Sequence, residues 1–292
     1  MIVVSGAGHA APGLGGTEET CDPLPYIRQR KSRKFMGVQD DLAVVAAGRA
    51  LAQAGLSRED LGLRAGLYLS VGFIPFEEAD IAPVLASSLS DGEFSMERFG
   101  RGGFQRAHPL LTFRCLPNMP AYHVSASFDV RGPYLVAYPS MGPFALALEE
   151  ALFALEEREI DVALVGGTAH QRNFLVEHHF ERLVPPVPRE RLRDLGAFLI
   201  LEREEDVVRR GGTRRARLAS LHVSYTPFNP SELHPPHEEV FSPPLEDRSG
   251  SELGPAALAY ALSRGLENGG FHTLLHRLRT RDGFVVESRW ER

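Results

Sequence analysis

The sequence predicts an α/β fold: a mainly parallel sheet with helical cover. Two observations carry this. An Ala-, Leu- and Glu-rich stretch from Phe144 to Glu157 has helical composition and lies between two strand-like runs, Val130 to Ala137 and Asp161 to Val165. Strand, helix, strand is a βαβ unit, and such units build parallel sheets. The N-terminal part also alternates strand-like and helix-like segments. At 292 residues, 43% hydrophobic and 24% charged, the chain can bury a sizeable core.

The elements follow in order. Ile2 to Ser5 is a β-branched strand running into a glycine turn at Gly6. Asp40 to Ala54 places apolar residues at helical spacing, and Gly55 is its C-terminal stop. Ser57 to Leu61 reads as a capping turn, with Ser57 followed by acidic residues. Ala65 to Val71 is a buried strand ending in a Gly72 turn, and Phe76 to Leu89 is helical. Leu195 to Glu202 is another apolar strand, Gly211-Gly212 a turn, and Ala216 to Tyr225 a strand. Thr226 to Arg248 holds six prolines and reads as an irregular loop. Pro255 to Leu266 is helical, with proline in its first turn. Phe271 to Arg279 and Phe284 to Trp290 form a hairpin around Thr280 to Gly283.

The net charge of −6 gives no reason to expect nucleic acid as a partner. Only two cysteines occur, Cys21 and Cys115, so a disulfide framework is not expected and a reducing, cytoplasmic setting is. No apolar run is long enough to cross a bilayer, and the N-terminus lacks the basic flank of a secretory signal. Basic residues cluster twice, at Arg28, Arg30, Lys31, Arg33 and Lys34, and at Arg209, Arg210, Arg214, Arg215 and Arg217. Each is either solvated surface or a docking patch for an acidic partner.

The most specific stretch runs from Leu116-Pro117-Asn118 through Val130-Arg131-Gly132-Pro133 and Ser140-Met141-Gly142 to Asp161-Val162-Ala163-Leu164-Val165-Gly166-Gly167. In order and spacing these resemble the β-ketoacyl synthases of the thiolase superfamily. Weaker matches at Ile2 to Gly8 and Gly196 to Glu202 extend the likeness over residues 1–205. The resemblance implies a thiolase-like layered αβαβα fold, with a complete N-terminal half (1–205) and a truncated C-terminal half (206–292) in one compact unit.

It also implies which chemistry is missing. The family's nucleophilic cysteine, at a strand–helix junction, is replaced by Met141, whose thioether cannot ionise to an attacking thiolate. The motif for the first catalytic histidine has no counterpart. At the second, Ser251 stands where histidine is expected, with Arg248 near the family's lysine. The resemblance therefore points to a non-catalytic member similar to chain-length factors. Such a subunit pairs with an active ketosynthase in type II fatty-acid, polyketide or polyene synthesis and meets an acidic acyl carrier protein. Met141, Ser140, Phe144 and Tyr138 would then line the pocket or tunnel. Phe113, Leu116, Pro117, Asn118, Met119, Tyr122, Tyr134 and Val136 would form the dimer interface, and Arg28, Arg30, Lys31, Arg33 and Lys34 the carrier-protein dock. No cofactor or metal is expected.

Two other functions stay open. The chain could be a stand-alone acyltransferase or decarboxylase using Ser140, which otherwise reads as a helix N-cap. It could also be a homodimeric acyl or carrier-protein binder. Cys115 reads as a buried structural thiol and His170 as a turn-surface residue. His272 and His276, four apart, fall on a strand and lack a zinc-protease pattern. Gly6-Ala7-Gly8-His9 is an incomplete dinucleotide fingerprint.

Overall fold

The computed structural model describes residues 1–14, 20–138, 142–226, 238–244 and 250–292. Its elements in chain order are β1 (Ile2–Ala10), α1 (Val38–Ala54), β2 (Ala65–Val71), α2 (Glu78–Ser88), β3 (Leu89–Ser90), β4 (Glu93–Phe94), α3 (Met96–Arg98), α4 (Leu111–Cys115), α5 (Met119–Phe128) and β5 (Tyr134–Ala137). They continue with α6 (Pro143–Glu156), β6 (Val162–Ala169), α7 (Phe174–Glu181), β7 (Leu195–Arg203), α8 (Glu204–Arg209), β8 (Ala216–Tyr225), β9 (Glu238–Ser242), α9 (Ala257–Asn268), β10 (Thr273–Arg279) and β11 (Phe284–Glu291).

Among the described residues the main sheet has nine strands in the order β5-β2-β6-β7-β1-β8-β11-β10-β9. The βαβ expectation is met in direction: β5 and β6 both run parallel to β2, which lies between them. The expectation of a mainly parallel sheet is not met, because every other neighbouring pair is antiparallel. Of the later strands, β10 and β11 form a direct hairpin, while α7, α8 and α9 lie in the connections that lead to β7, β8 and β10.

β8 is where the sheet turns over. Its first residues pair with β1, and the remainder pairs with β11. Helices α1 and α5 cover one face of the first five strands, with Leu42, Val45 and Ala46 against Leu67, Leu69 and Ile200. On the opposite face, α6 and α9 share one core with Val4 and Leu199 and also with Phe241, Leu274 and Trp290 of the last strands. The layers are thus helices, five strands, helices and four strands, a layered α/β arrangement with a reduced C-terminal half. The last strands alternate in the way a one-sided sheet must: Leu274, His276 and Leu278 are buried, while Leu275, Arg277 and Arg279 are exposed.

Local chemistry explains the boundaries. Gly55 ends α1 in the left-handed region at φ 69° and donates back to Leu51 and Ala52, as a C-terminal glycine does. Gly6 and Gly8 do not make a turn; they lie inside β1 because α1 presses on it. A Cβ at Gly6 would sit 2.3 Å from the Ala50 carbonyl oxygen, and one at Gly8 would sit 2.4 Å from the Ala50 nitrogen. Because β1 runs through both glycines to Ala10, they do not form the phosphate-binding turn of a dinucleotide fingerprint. The proline-rich stretch is also not wholly irregular, since Glu238–Ser242 pairs with β10 as an edge strand; residues 227–237 and 245–249 lie outside the described residues.

Candidate functional site

The site is assembled at the carboxyl ends of the three parallel strands. Register places Ala137 of β5 beside Ser70 of β2, and Thr168 of β6 beside Val71. From there the chain passes through residues 138–142 into α6, which starts with Pro143 after its N-cap Gly142. Ser140 and Met141 lie outside the described residues. Gly142 packs on the hairpin, where an added Cβ would lie 2.4 Å from the Phe284 ring. α9 begins at the same end of the sheet. The bare face of Gly167 on β6 admits its first turn, and a Cβ there would come within 2.4 Å of the Pro255 carbonyl oxygen. Gly254 opens that turn at φ 61°. Two helix N-termini, each carrying partial positive charge, therefore start beside one another at this end.

Between α6, α9 and the last four strands lies a cavity of about 10 Å³, room for a single water. Phe144, Leu148, Leu258 and Val286 line it, with Glu239 and His276 as its polar members. His276 Nε2 is 3.0 Å from Glu239 Oε1. Ser288 Oγ lies 3.4 Å from His276 Nδ1 and accepts the Trp290 indole N–H at 2.9 Å, and Phe241 stacks on the imidazole. Of the expected pocket residues, Phe144 is buried against this cavity, whereas Tyr138 is 39% exposed. His272 is exposed and precedes β10, so it and His276 do not share a face.

His170 needs correcting. It follows β6 but is buried rather than on the turn surface. Its Nδ1 is 3.0 Å from Asp194 Oδ1 and its Nε2 3.3 Å from Glu77 Oε1. Asp194 Oδ1 also accepts the backbone N–H groups of Gln171 and Arg172 at 2.7 and 2.9 Å. Gln171 reaches on, through Nε2, to the carbonyls of Arg193 and Glu252, tying the cluster to the residue after Ser251. Sequence reading marked His170 but had no signal for its partners, which come from two distant segments. No group of three or more metal-ligating side chains occurs among the described residues. Burial raises the thiol pKa of Cys21 to about 11 and also raises that of Cys115. Cys115 is buried, with Sγ directed at the Leu111 carbonyl.

Of the expected interface residues, Phe113, Leu116, Tyr122 and Tyr134 are 43–73% exposed. Asn118 is exposed, and Pro117 and Val136 are half-buried. Met119, expected at the interface, is instead a core residue, 8% exposed, because it is the first residue of α5, which packs on the body. β5 ends the sheet, and exposed Leu146 and Phe153 of α6 add to the apolar surface.

The first basic cluster lies on or beside a 3₁₀ turn, Arg30–Phe35, with Arg28, Arg30, Lys31, Arg33 and Lys34 all exposed. Arg33 pairs with Asp41 at 2.7 Å. The second cluster is paired within the chain. Arg209, Arg210, Arg214 and Arg217 pair with Asp206, Glu202, Glu204 and Glu291, and Arg215 donates to the Ser5 and Gln53 carbonyls.

The family model for the β-ketoacyl synthase N-terminal domain matches residues 4–182. No curated protein matches the chain. Among solved structures, the chain is similar to AntDE:AntF, a type II polyketide synthase acyl-carrier protein in complex with its ketosynthase. The TM-score is 0.73 at 14% identity, over 99% of this chain and 98% of that one. A β-ketoacyl synthase from Burkholderia phymatum STM815 gives 0.68 at 14% identity, over 100% and 99%. The ishigamide ketosynthase/chain length factor gives 0.57 at 20% identity, over 77% and 63%. At these identities the likeness is one of fold. No helix among the described residues is long and apolar enough to cross a membrane.

Proposed function

Because the chain belongs to the β-ketoacyl synthase family, we propose that it is a catalytically silent ketosynthase-like subunit. It pairs with an active ketosynthase and helps set the acyl chain in type II fatty-acid, polyketide or polyene synthesis. One observation carries the reading. By the motif resemblance, Met141 stands where the family carries its nucleophile, and in sequence it falls between Ala137, the end of β5, and Pro143, the start of α6. A thioether there cannot form an acyl thioester. Ser251 in place of the second histidine, and the missing motif for the first, remove the groups that would stabilise an enolate.

The surface supports pairing. β5 offers an open strand edge beside Tyr134 and the apolar residues of α6, a combination that a monomer exposes poorly. The Arg28–Lys34 cluster is the proposed dock for the acidic carrier protein, because unlike charges raise encounter rates. Co-expression with the active ketosynthase of the same pathway tests the reading. A stable heterodimer by light scattering and a product length that changes with this chain are expected. A chain that stays monomeric and leaves product length unchanged overturns it.

A further inference from the structure

Helix α2 is held to the body by polar ties more than by packing. Over its eleven residues only Ser88 is buried, and Pro83 interrupts its interior. The ties gather just before it. Gln39 Nε2 donates to the Phe73 carbonyl at 3.0 Å, and Asn173 Nδ2 donates to the Phe76 carbonyl at 2.6 Å. Glu77, the N-cap residue, makes no side-chain cap of its own helix; its carboxylate faces His170 instead. The imidazole thus sits between a carboxylate fixed to the sheet, Asp194, and a half-exposed one that moves with α2.

We propose that His170 is a protonation-controlled latch: its imidazolium fastens the start of α2 through Glu77, and its neutral form releases the helix. The tautomer makes the contact bistable. With Nδ1–H donated to Asp194, a neutral ring turns the Nε2 lone pair toward the Glu77 carboxylate at 3.3 Å, so attraction becomes repulsion.

The charged neighbours leave His170 to these two acids. Asp80, further along α2, is 3.5 Å from Arg114. The Arg193 guanidinium donates to the Glu190 and Leu192 carbonyls, and the Glu252 carboxylate accepts from the Gly254 N–H. Cys21 faces Asp194 from the segment before α1, with its thiol pKa raised first by burial. Burial pulls the His170 pKa down, but its hydrogen bond to Asp194 and the charges of Asp194 and Glu77 outweigh that and hold it above the ordinary value. A raised folded-state pKa means the latch is fully engaged below the ordinary histidine pKa and is lost as pH rises through the folded value.

Hydrogen exchange of the full chain between about pH 6 and 9, corrected for intrinsic rates, reads the latch directly. Because the bond to Asp194 persists when α2 opens, protection over Glu78–Ser88, relative to Leu195–Arg203, is expected to fall about tenfold for each unit by which the His170 midpoint exceeds its midpoint in Glu77→Gln. That fall should track His170 titration followed by NMR. In Glu77→Gln, whose amide can donate to neutral Nε2, protection should stay level with pH. A step that survives in Glu77→Gln, a flat profile in the unmodified chain, or a midpoint at or below the ordinary value overturns the proposal. None of these outcomes depends on a ketosynthase partner.

Discussion

Arg203 closes the far end of the helix that the candidate site depends on, and its removal should cost a large fraction of stability. The side chain is 8% exposed at the end of β7. Nη1 donates to the Leu155 and Ile160 carbonyls, both at 2.7 Å, and so satisfies the last turn of α6 and the residue leading into β6. Nη2 donates to Asp161 Oδ1 at 2.5 Å, and Nε lies 2.6 Å from Asp206 Oδ2. In Arg203→Met the Ile160 carbonyl loses a buried donor, at about 1–3 kcal/mol, while the Leu155 carbonyl keeps the Arg158 N–H at 3.2 Å. The two carboxylates keep other partners, because Arg64 grips Asp161 and Arg209 grips Asp206. With the lost contacts to those carboxylates, a total of about 3 kcal/mol follows, at the lower end of the range of about 3–5 kcal/mol for breaking a buried pair. For a chain of this size that lowers Tm by roughly 10 °C. Arg203→Lys should recover about half of this, since one ammonium cannot reproduce the planar fork. Thermal melts by circular dichroism are the assay, and a Tm for Arg203→Met within about 2 °C of the unmodified chain refutes the reasoning.

Three further outcomes are expected. Gly8→Ala should destabilise by about 3 kcal/mol in urea titrations, because the new Cβ meets the α1 backbone at 2.4 Å; an unchanged midpoint would mean that α1 does not rest on β1 this way. His9 has its pKa lowered to about 4, first by burial and then by Arg264 and Arg49. The unfolded chain therefore takes up a proton below 6.5 while the folded chain does not until about 4, so stability should fall with acidification at up to about 1.4 kcal/mol per pH unit. Denaturation curves across that window should be flatter in His9→Gln, and identical slopes would count against the assignment. Lys31→Glu with Lys34→Glu should weaken carrier-protein binding about tenfold at low salt, about 1.4 kcal/mol, with Tm unchanged. Titration calorimetry showing full affinity would move the dock elsewhere.

Signals that are local were legible. Ala65–Val71 and Ala216–Tyr225 match their expected bounds because apolar runs and alternation mark strands directly. Gly55 and the Ser57 capping turn read correctly because cap chemistry acts within a few residues. Signals that depend on distant contacts were not legible. Gly6 and Gly8 look like a turn until a helix is laid across them, and Glu238–Ser242 becomes a strand only by pairing with β10. Pro120 sits in the first turn of α5, where its missing N–H costs nothing, so a stretch with two prolines opens a helix. At the site, motif order located the junction, whereas the His170 cluster joins residues from three separate stretches. The pairing of the second arginine cluster was not legible either, since its acids come from Glu202, Glu204, Asp206 and Glu291.

Intact-mass analysis of the co-purified pair, after exposure to an acyl-loaded carrier protein, addresses loss of catalysis most directly. The acyl increment should appear on the ketosynthase partner alone, while this chain keeps its unmodified mass. An increment on this chain that disappears in Ser140→Ala, or condensation product formed by this chain without a partner, would contradict the account.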